Sequence, residues 1–99
     1  MHQMITTITP EEARKFLKEN AETIILDVRT PQEFDEEHLD KATNINFYDE
    51  DFAEKIQRLP HDKKYLIHCH SGVRAAKTAK LMQELGFEQV WVVEGVLLE

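Results

Sequence analysis

Short apolar runs alternate along the chain with longer segments in which apolar residues recur every three or four positions. The runs are rich in branched or aromatic residues, a composition typical of buried strands. They cover residues 4–7, 23–26, 65–67 and 89–93, and residues 43–46 are a further candidate for a short strand. Strands that alternate with helices over such short intervals predict parallel βαβ units. We therefore expect an α/β fold, a three-layer sandwich around a mainly parallel central sheet of roughly five strands.

Capping signals mark where the helices begin. Residues 9–12 (TPEE) and 30–33 (TPQE) each place threonine at the N-cap, proline at the first helical position and glutamate at the third. This order predicts a capping box at both helices, in which the threonine and glutamate side chains bond each other's backbone N–H groups. Asp51 and Glu54 fit a third box, and Pro60 is expected to end that helix.

The last helix is predicted between residue 72 and Gly86. Its apolar stripe has the spacing of one helical face and consists of Ala75, Ala76, Ala79, Met82 and Leu85. Gly86 stands where a helix often ends on a left-handed residue, and Phe87 can then fold back on Met82. This helix directly follows the only cysteine of the sequence.

Composition and charge narrow the class of protein. A chain of 99 residues with 41% hydrophobic and 31% charged residues predicts one globular domain over residues 1–99. The formal net charge of −7 argues against nucleic acid and anionic membranes as partners. No apolar stretch approaches the ~20 residues of a membrane span, and the first residues lack the features of a signal peptide. A single cysteine suits a reducing cytoplasm.

The loop from Cys69 to Arg74 (CHSGVR) is the strongest candidate for chemistry. A strand-to-helix loop directs successive backbone N–H groups at one point, and the helix start adds partial positive charge there. We therefore expect a lowered pKa for the Cys69 thiol. Gly72 permits a tight turn, and Arg74 could clamp an oxyanion at the mouth of the loop. The alternative is that Cys69 is a small buried apolar residue.

Two blocks of this sequence resemble the rhodanese family. One is the loop just described, and the other is LDVRTPQEF at residues 26–34, followed by His38-Leu39 and by ATNI at residues 42–45. The second block looks like the family signature D-V-R-x-x-x-E-F followed by H-I-x-G-A-x-N-I-P. The resemblance implies a rhodanese-like sandwich, in which this block is architectural. Asp27, Arg29 and Glu33 are charged groups at a strand end and a helix start, so we expect a local ion-pair network there. The resemblance also places His38 in a structural turn.

The loop size bears on the chemistry. Cysteine phosphatases use H-C-x5-R, which would require arginine at position 75. Here that residue is Ala75, and the arginine comes one place earlier, at Arg74. The loop instead resembles the sulfurtransferase form C-x-x-G-x-R. This implies that Cys69 takes a sulfane sulfur from a small anionic donor such as thiosulfate and passes the persulfide sulfur to cyanide or a thiol. The donor-binding residues would be His70, Ser71, Gly72, Val73 and Arg74.

Other functions stay open at this point. A persulfide-relay or non-catalytic module that docks on an acceptor protein fits the same residues, and a cysteine-dependent phosphatase fits them less well. His68, Cys69 and His70 do not have the spacing of a zinc site, and the redox motif C-x-x-C is absent. We therefore expect neither a metal nor a cofactor.

The sequence departs from the family pattern in three places. Lys41 stands where the family has glycine, and Asn46 stands where it has proline. The family's second glycine and its closing helix do not follow Gly95, and residues 98–99 (LE) read as a cloning remnant. Without that helix we expect apolar sheet surface near Trp91 to be exposed.

Overall fold

The computed structural model describes residues 5–98. Its strands are β1 (Thr6–Ile8), β2 (Ile24–Asp27), β3 (Thr43–Asn44), β4 (Lys64–His68) and β5 (Gln89–Val93). Its helices are α1 (Pro10–Glu19), α2 (Pro31–Glu36), α3 (Phe52–Gln57) and α4 (Val73–Glu84). The strands form one sheet in the order β1-β5-β4-β2-β3, and every pair is parallel. The predicted α/β fold with a five-stranded parallel sheet is confirmed.

Apolar clusters cover both faces of this sheet. The larger cluster joins β4 and β5 to α3 and α4, through buried residues such as Tyr65, Val92, Ile56 and Met82. The smaller cluster places Ala13 of α1 against Leu66, Val93 and Leu97 on the opposite face. Trp91 is half-buried and packs on Phe16 at a centroid distance of 4.5 Å, so only part of the apolar surface expected there is exposed.

The capping boxes at α1 and α2 are confirmed. At α1 the Glu12 N–H donates to Thr9 Oγ1 at 3.1 Å and the Thr9 N–H donates to Glu12 Oε1 at 2.9 Å. The predicted third box at Asp51 is wrong, because this residue has φ −97° and ψ 22° and makes no side-chain cap bond. An N-cap carboxylate reaches the helix from an extended backbone, which Asp51 does not adopt. The helix α3 also ends at Gln57, earlier than expected from Pro60.

The end of α4 follows the prediction, whereas its apolar stripe differs at one residue. Gly86 has φ +98°, its N–H donates to Gln83 O, and the Phe87 N–H donates to Met82 O at 2.9 Å. These two bonds form a Schellman motif. Ala76 was predicted to be on the stripe but is exposed, and Thr78 is buried instead. The Thr78 hydroxyl is satisfied by donating to the Arg74 carbonyl at 2.8 Å.

Strand lengths differ slightly from the sequence-based expectation. The strand β3 has only two residues, although the Ile45 N–H still donates to Asp27 O at 3.0 Å. The start of the first predicted strand, Met4, lies outside the described residues. Because all strands are parallel, their carboxyl ends share one edge of the sheet, where α/β folds bind ligands. Cys69 directly follows β4 at this edge.

Candidate active site

The loop after β4 curls around the Cys69 sulfur. Gly72 adopts φ +96°, a left-handed conformation that favours glycine. Its N–H donates to Cys69 Sγ at 3.1 Å, and the N–H of Ala75, in the first turn of α4, donates to the same atom at 3.4 Å. Two N–H groups at a helix start therefore converge on one sulfur, an arrangement that stabilises negative charge there. The donors were expected from the sequence within the loop from Cys69 to Arg74, so Gly72 was anticipated and Ala75 was missed.

Cys69 is also fully buried, and it belongs to the larger apolar cluster. This burial is the feature expected of a small core residue. A cysteine that serves only as a small core residue packs through apolar contacts and does not require hydrogen-bond donors on its sulfur. The structure therefore combines two N–H groups directed at Cys69 Sγ with full burial of this residue.

From the sequence, the guanidinium of Arg74 was expected to be available for an oxyanion at the mouth of the loop. In the structure it is bound by a carboxylate instead. Its Nη1 and Nη2 atoms donate to Glu33 Oε1 and Oε2 at 2.9 and 3.3 Å. The hydrogen bond from Arg74 lowers the pKa of Glu33 to about 2. The Tyr48 ring lies 5.7 Å from the guanidinium carbon, within cation–π range. Arg74 thus ties the loop to α2, across 41 residues of sequence.

Glu33 has a second function at the start of α2. Its Oε1 also accepts the Thr30 N–H at 2.9 Å as part of the confirmed capping box. The capping box therefore holds the carboxylate in place for Arg74. The direct ion pair of Glu33 is therefore with Arg74. Its link to the Asp27–Arg29 pair is through charge alone, since Asp27 first and Glu33 to a smaller extent raise the pKa of Arg29.

Asp27 and Arg29 form a separate, buried pair at the end of β2. Arg29 Nε and Nη2 donate to Asp27 Oδ1 and Oδ2 at 2.9 and 2.7 Å, and Nη2 also donates to Glu37 O at 2.8 Å. The Asn44 side-chain amide donates to the carbonyls of both residues. This fully bonded cluster braces the strand end next to the loop.

From the sequence, His68 matched the first residue of the phosphatase motif H-C-x5-R and belonged to a group without the spacing of a zinc site, and the structure gives it a different character. It is fully buried on the last position of β4, and neither ring nitrogen makes a hydrogen bond. Its Nε2 lies 3.5 Å from Asp27 Oδ2. Burial lowers the pKa of His68, because the charged imidazolium loses its hydration.

His38 makes a structural contact, as the resemblance implied. Its ring stacks on Phe34 at a centroid distance of 3.6 Å, and Nδ1 lies 2.7 Å from Phe34 O. Lys41 adopts φ +71°, a left-handed conformation that favours glycine.

A groove of about 410 Å³ runs beside the loop on the α4 side of the sheet. Its lining combines the loop with α4, β1 and the end of β5, namely Thr7, Ser71, Gly72, Val73, Ala76, Lys77, Val92 and Glu94. Cys69 is not among these lining residues. His70 and Ser71 are exposed, so they lie at the surface of the loop.

Between residues 5 and 98, no three His, Cys, Asp or Glu side chains come together in a way that could hold a metal ion. None of the helices described above has the length and apolar character that crossing a bilayer requires.

Comparison with known proteins gives consistent matches. The family model of the rhodanese-like domain matches residues 9–97 of this chain. The probable adenylyltransferase/sulfurtransferase MoeZ of Mycobacterium tuberculosis is 32% identical over 90 residues, which are 91% of this chain and 23% of MoeZ. The chain thus spans about a quarter of the length of that relative.

Two further matches cover most of both chains. The putative sulfurtransferase YtwF of Bacillus subtilis is 30% identical over 93 residues, which are 94% of this chain and 88% of YtwF. The crystal structure of a rhodanese-like domain protein from Staphylococcus aureus superposes with a TM-score of 0.79 at 28% identity, covering 91% of this chain and 85% of that chain.

Proposed function

This chain belongs to the rhodanese-like domain family, and on that premise we propose that it is a sulfurtransferase in which Cys69 carries the transferred sulfur. The observation that carries the proposal is the pair of N–H groups, from Gly72 and Ala75, directed at Cys69 Sγ. Such preorganised donors stabilise charge that develops during a reaction without needing to reorient.

The reaction takes place in two steps. The Cys69 thiolate attacks the outer sulfur of a donor R–S, forms a sulfur–sulfur bond and expels the rest of the donor with its electron pair. With thiosulfate as the anionic donor, the products are the Cys69 persulfide anion and sulfite. A thiophilic acceptor, cyanide or a thiol, then attacks the outer sulfur, and Cys69 leaves as the thiolate. No cofactor or metal is required for either step.

The remaining loop residues bind and position the reactants. The backbone from His70 to Arg74 surrounds the persulfide, and the exposed side chains of His70, Ser71 and Val73 contact the donor or acceptor. Arg74 acts through its pair with Glu33, which holds the loop around Cys69. Cys69 is the single cysteine of the 99 residues, so the acceptor thiol lies outside this domain. A reducing compartment such as the cytoplasm supplies such thiols.

Intact-mass measurement tests this proposal. The protein is incubated with excess thiosulfate or a small persulfide, desalted and weighed, and then treated with cyanide while thiocyanate is followed. We expect a gain of one sulfur atom that is absent in Cys69→Ser and is lost to cyanide. The proposal is wrong if neither donor adds sulfur to Cys69, or if Cys69 instead supports hydrolysis of an aryl phosphate.

A further inference from the structure

Resting on the proposed sulfur transfer, we infer that the sulfur donor of this site is a thiol-bound persulfide, R–S–SH, in preference to the free thiosulfate dianion. The inference comes from the charges and apolar side chains around the mouth of the loop. Thiosulfate brings two negative charges to this mouth, whereas a persulfide with its single ionisable proton brings at most one.

The only permanent cation of the loop is already neutralised. Arg74 is bound by both carboxylate oxygens of Glu33, at 2.9 and 3.3 Å, and this pair has no net charge. The face of the guanidinium is occupied by the Tyr48 ring at 5.7 Å. A dianion that bound Arg74 would have to displace a carboxylate held by two further contacts at Thr30, from its N–H at 2.9 Å and from its hydroxyl at 3.1 Å.

Arg29 is a second cation in electrostatic reach of Arg74, and it is bonded to both carboxylate oxygens of Asp27. The side chains from His70 to Val73 include no permanently charged group. The lining of the groove beside the loop includes one cation, Lys77, and one anion, Glu94, so its formal charges sum to zero. The protein as a whole carries a formal net charge of −7, which repels an approaching dianion most strongly at low ionic strength.

Exposed apolar side chains, and no unpaired cation of the loop, surround Arg74 at the mouth of the loop. In residues 5–98, Tyr48 and Val73 stand out as the exposed large apolar side chains, at 66% and 57% exposure. Tyr48 lies against Arg74, and Val73 precedes Arg74 in the chain. Exposed apolar groups beside a reactive site favour a ligand that carries carbon over a hydrated inorganic ion. The R group of a persulfide meets this requirement.

The transfer from such a donor is balanced. The Cys69 thiolate attacks the outer sulfur of R–S–SH, the bond between the two donor sulfurs breaks, and R–S⁻ leaves with the electron pair. The products are Cys69–S–SH and a thiolate, so no outside oxidant or reductant takes part. The leaving thiolate carries one charge, whereas sulfite would leave with two.

Ionic strength distinguishes the two donors on the unmodified protein. The second-order constant kcat/KM for sulfur loading is measured with thiosulfate and with the hydropersulfide of 2-mercaptoethanol, over a series of salt concentrations. We expect the thiosulfate value to rise with salt, because screening weakens repulsion, and the persulfide value to change less. A thiosulfate value that falls with salt would show an accessible cation and would overturn the inference. A parallel assay with the persulfide of a neutral single-cysteine peptide shows whether a polypeptide or a small thiol is the better source.

A charge variant provides the sharper test. Glu33→Gln keeps an oxygen for the capping box but removes the charge that neutralises Arg74. Glu36→Gln, at the exposed end of the same helix, makes the same change in net charge and serves as the control. We expect Glu33→Gln to raise kcat/KM about tenfold for the thiosulfate dianion and about threefold for a singly charged persulfide, from removing one unit charge about 6 Å away in a water-like medium. The ratio of thiosulfate to persulfide kcat/KM should therefore rise about threefold. The ratio cancels a general loss of loop order, since both donors react with Cys69.

The outcomes separate this inference from the proposed function. If neither donor loads sulfur on Cys69, the proposed function is wrong. If both donors load sulfur but Glu33→Gln and Glu36→Gln change the ratio equally, only the inference is wrong. The inference is also wrong if the wild-type protein uses thiosulfate as well as or better than either persulfide.

Discussion

Replacing Gly72 by alanine tests whether the amide directed at the Cys69 sulfur contributes to sulfur transfer. The perturbation is small in volume. A Cβ atom at Gly72 would meet Gly95 N at 3.6 Å and Val93 O at 3.7 Å, which are ordinary van der Waals distances. The cost therefore comes from the backbone, because Gly72 has φ +96° and alanine resists this conformation.

The expected loss of stability follows from that conformation. A residue with a Cβ in the left-handed region costs about 1–2 kcal/mol relative to glycine. For a domain of this size, each kcal/mol lowers the melting temperature by about 4–8 °C. The backbone can relieve this strain by turning the peptide that precedes residue 72. That movement would take the residue 72 N–H away from Cys69 Sγ, now 3.1 Å distant.

Gly86→Ala is the matched control. Gly86 has φ +98°, and a Cβ there meets only His61 Nδ1, at 4.0 Å. We expect both variants to lose similar free energy of unfolding in urea denaturation. Only Gly72→Ala should slow sulfur loading of Cys69, by at least about tenfold, since loss of one preorganised donor costs about 10²–10³ in rate. Normal loading in Gly72→Ala, or an equal loss of loading in both variants, would refute the reasoning.

Three further predictions concern charge and backbone strain. Arg74 lowers the pKa of Glu33 from 4.5 to about 2, so the stabilisation by this pair is complete above about pH 4.5 and is lost as the pH falls towards 2. Because Glu33 is 34% exposed, we expect the pair to contribute about 1 kcal/mol to the free energy of unfolding. In urea titrations at a series of pH values, Glu33→Gln should flatten this loss of stability at acid pH. Burial lowers the pKa of His68 below 6.5, so the unfolded chain takes up a proton first and the free energy of unfolding should decline as the pH falls below 6.5. His68→Leu should remove this pH dependence, whereas His61→Gln, at an exposed histidine, should keep it. Lys41→Gly should raise the free energy of unfolding by up to about 1 kcal/mol, and a less stable variant would contradict the strain assigned to φ +71°.

Local signals in the sequence predicted most of this fold. The two Thr-Pro-x-Glu boxes and the Schellman motif at Gly86 each depend on residues within a few positions of one another, and their backbone bonds are those expected. Period and composition placed β5 at residues 89–93 without error. The third capping box failed because the conformation of Asp51 was not determined by its neighbours in sequence alone. The predicted apolar stripe on α4 was wrong at Ala76 and omitted Thr78. Hydrophobicity alone could not show that the Thr78 hydroxyl would be satisfied when buried, by donating to the Arg74 carbonyl.

The site was predictable only in part, because its main contacts are long-range. The loop sequence indicated amides around Cys69, but the partner of Arg74 is 41 residues away on another helix. The capping box fixed where Glu33 lies, yet nothing in the sequence placed α2 beside the loop. Likewise, the unpartnered nitrogens of His68 depend on how β2 and β4 pack against their helices. Full burial of Cys69 was the alternative interpretation, and it proved compatible with amides that point at the sulfur.

A crystal structure of the protein after treatment with a persulfide donor tests the central claim most directly. The claim is that the loop amides stabilise an anionic sulfur on Cys69. The account predicts an additional sulfur atom bonded to Cys69 Sγ, with its outer atom within hydrogen-bonding distance of the loop N–H groups. An outer sulfur directed away from these amides, or an unmodified and still buried Cys69, would contradict the account.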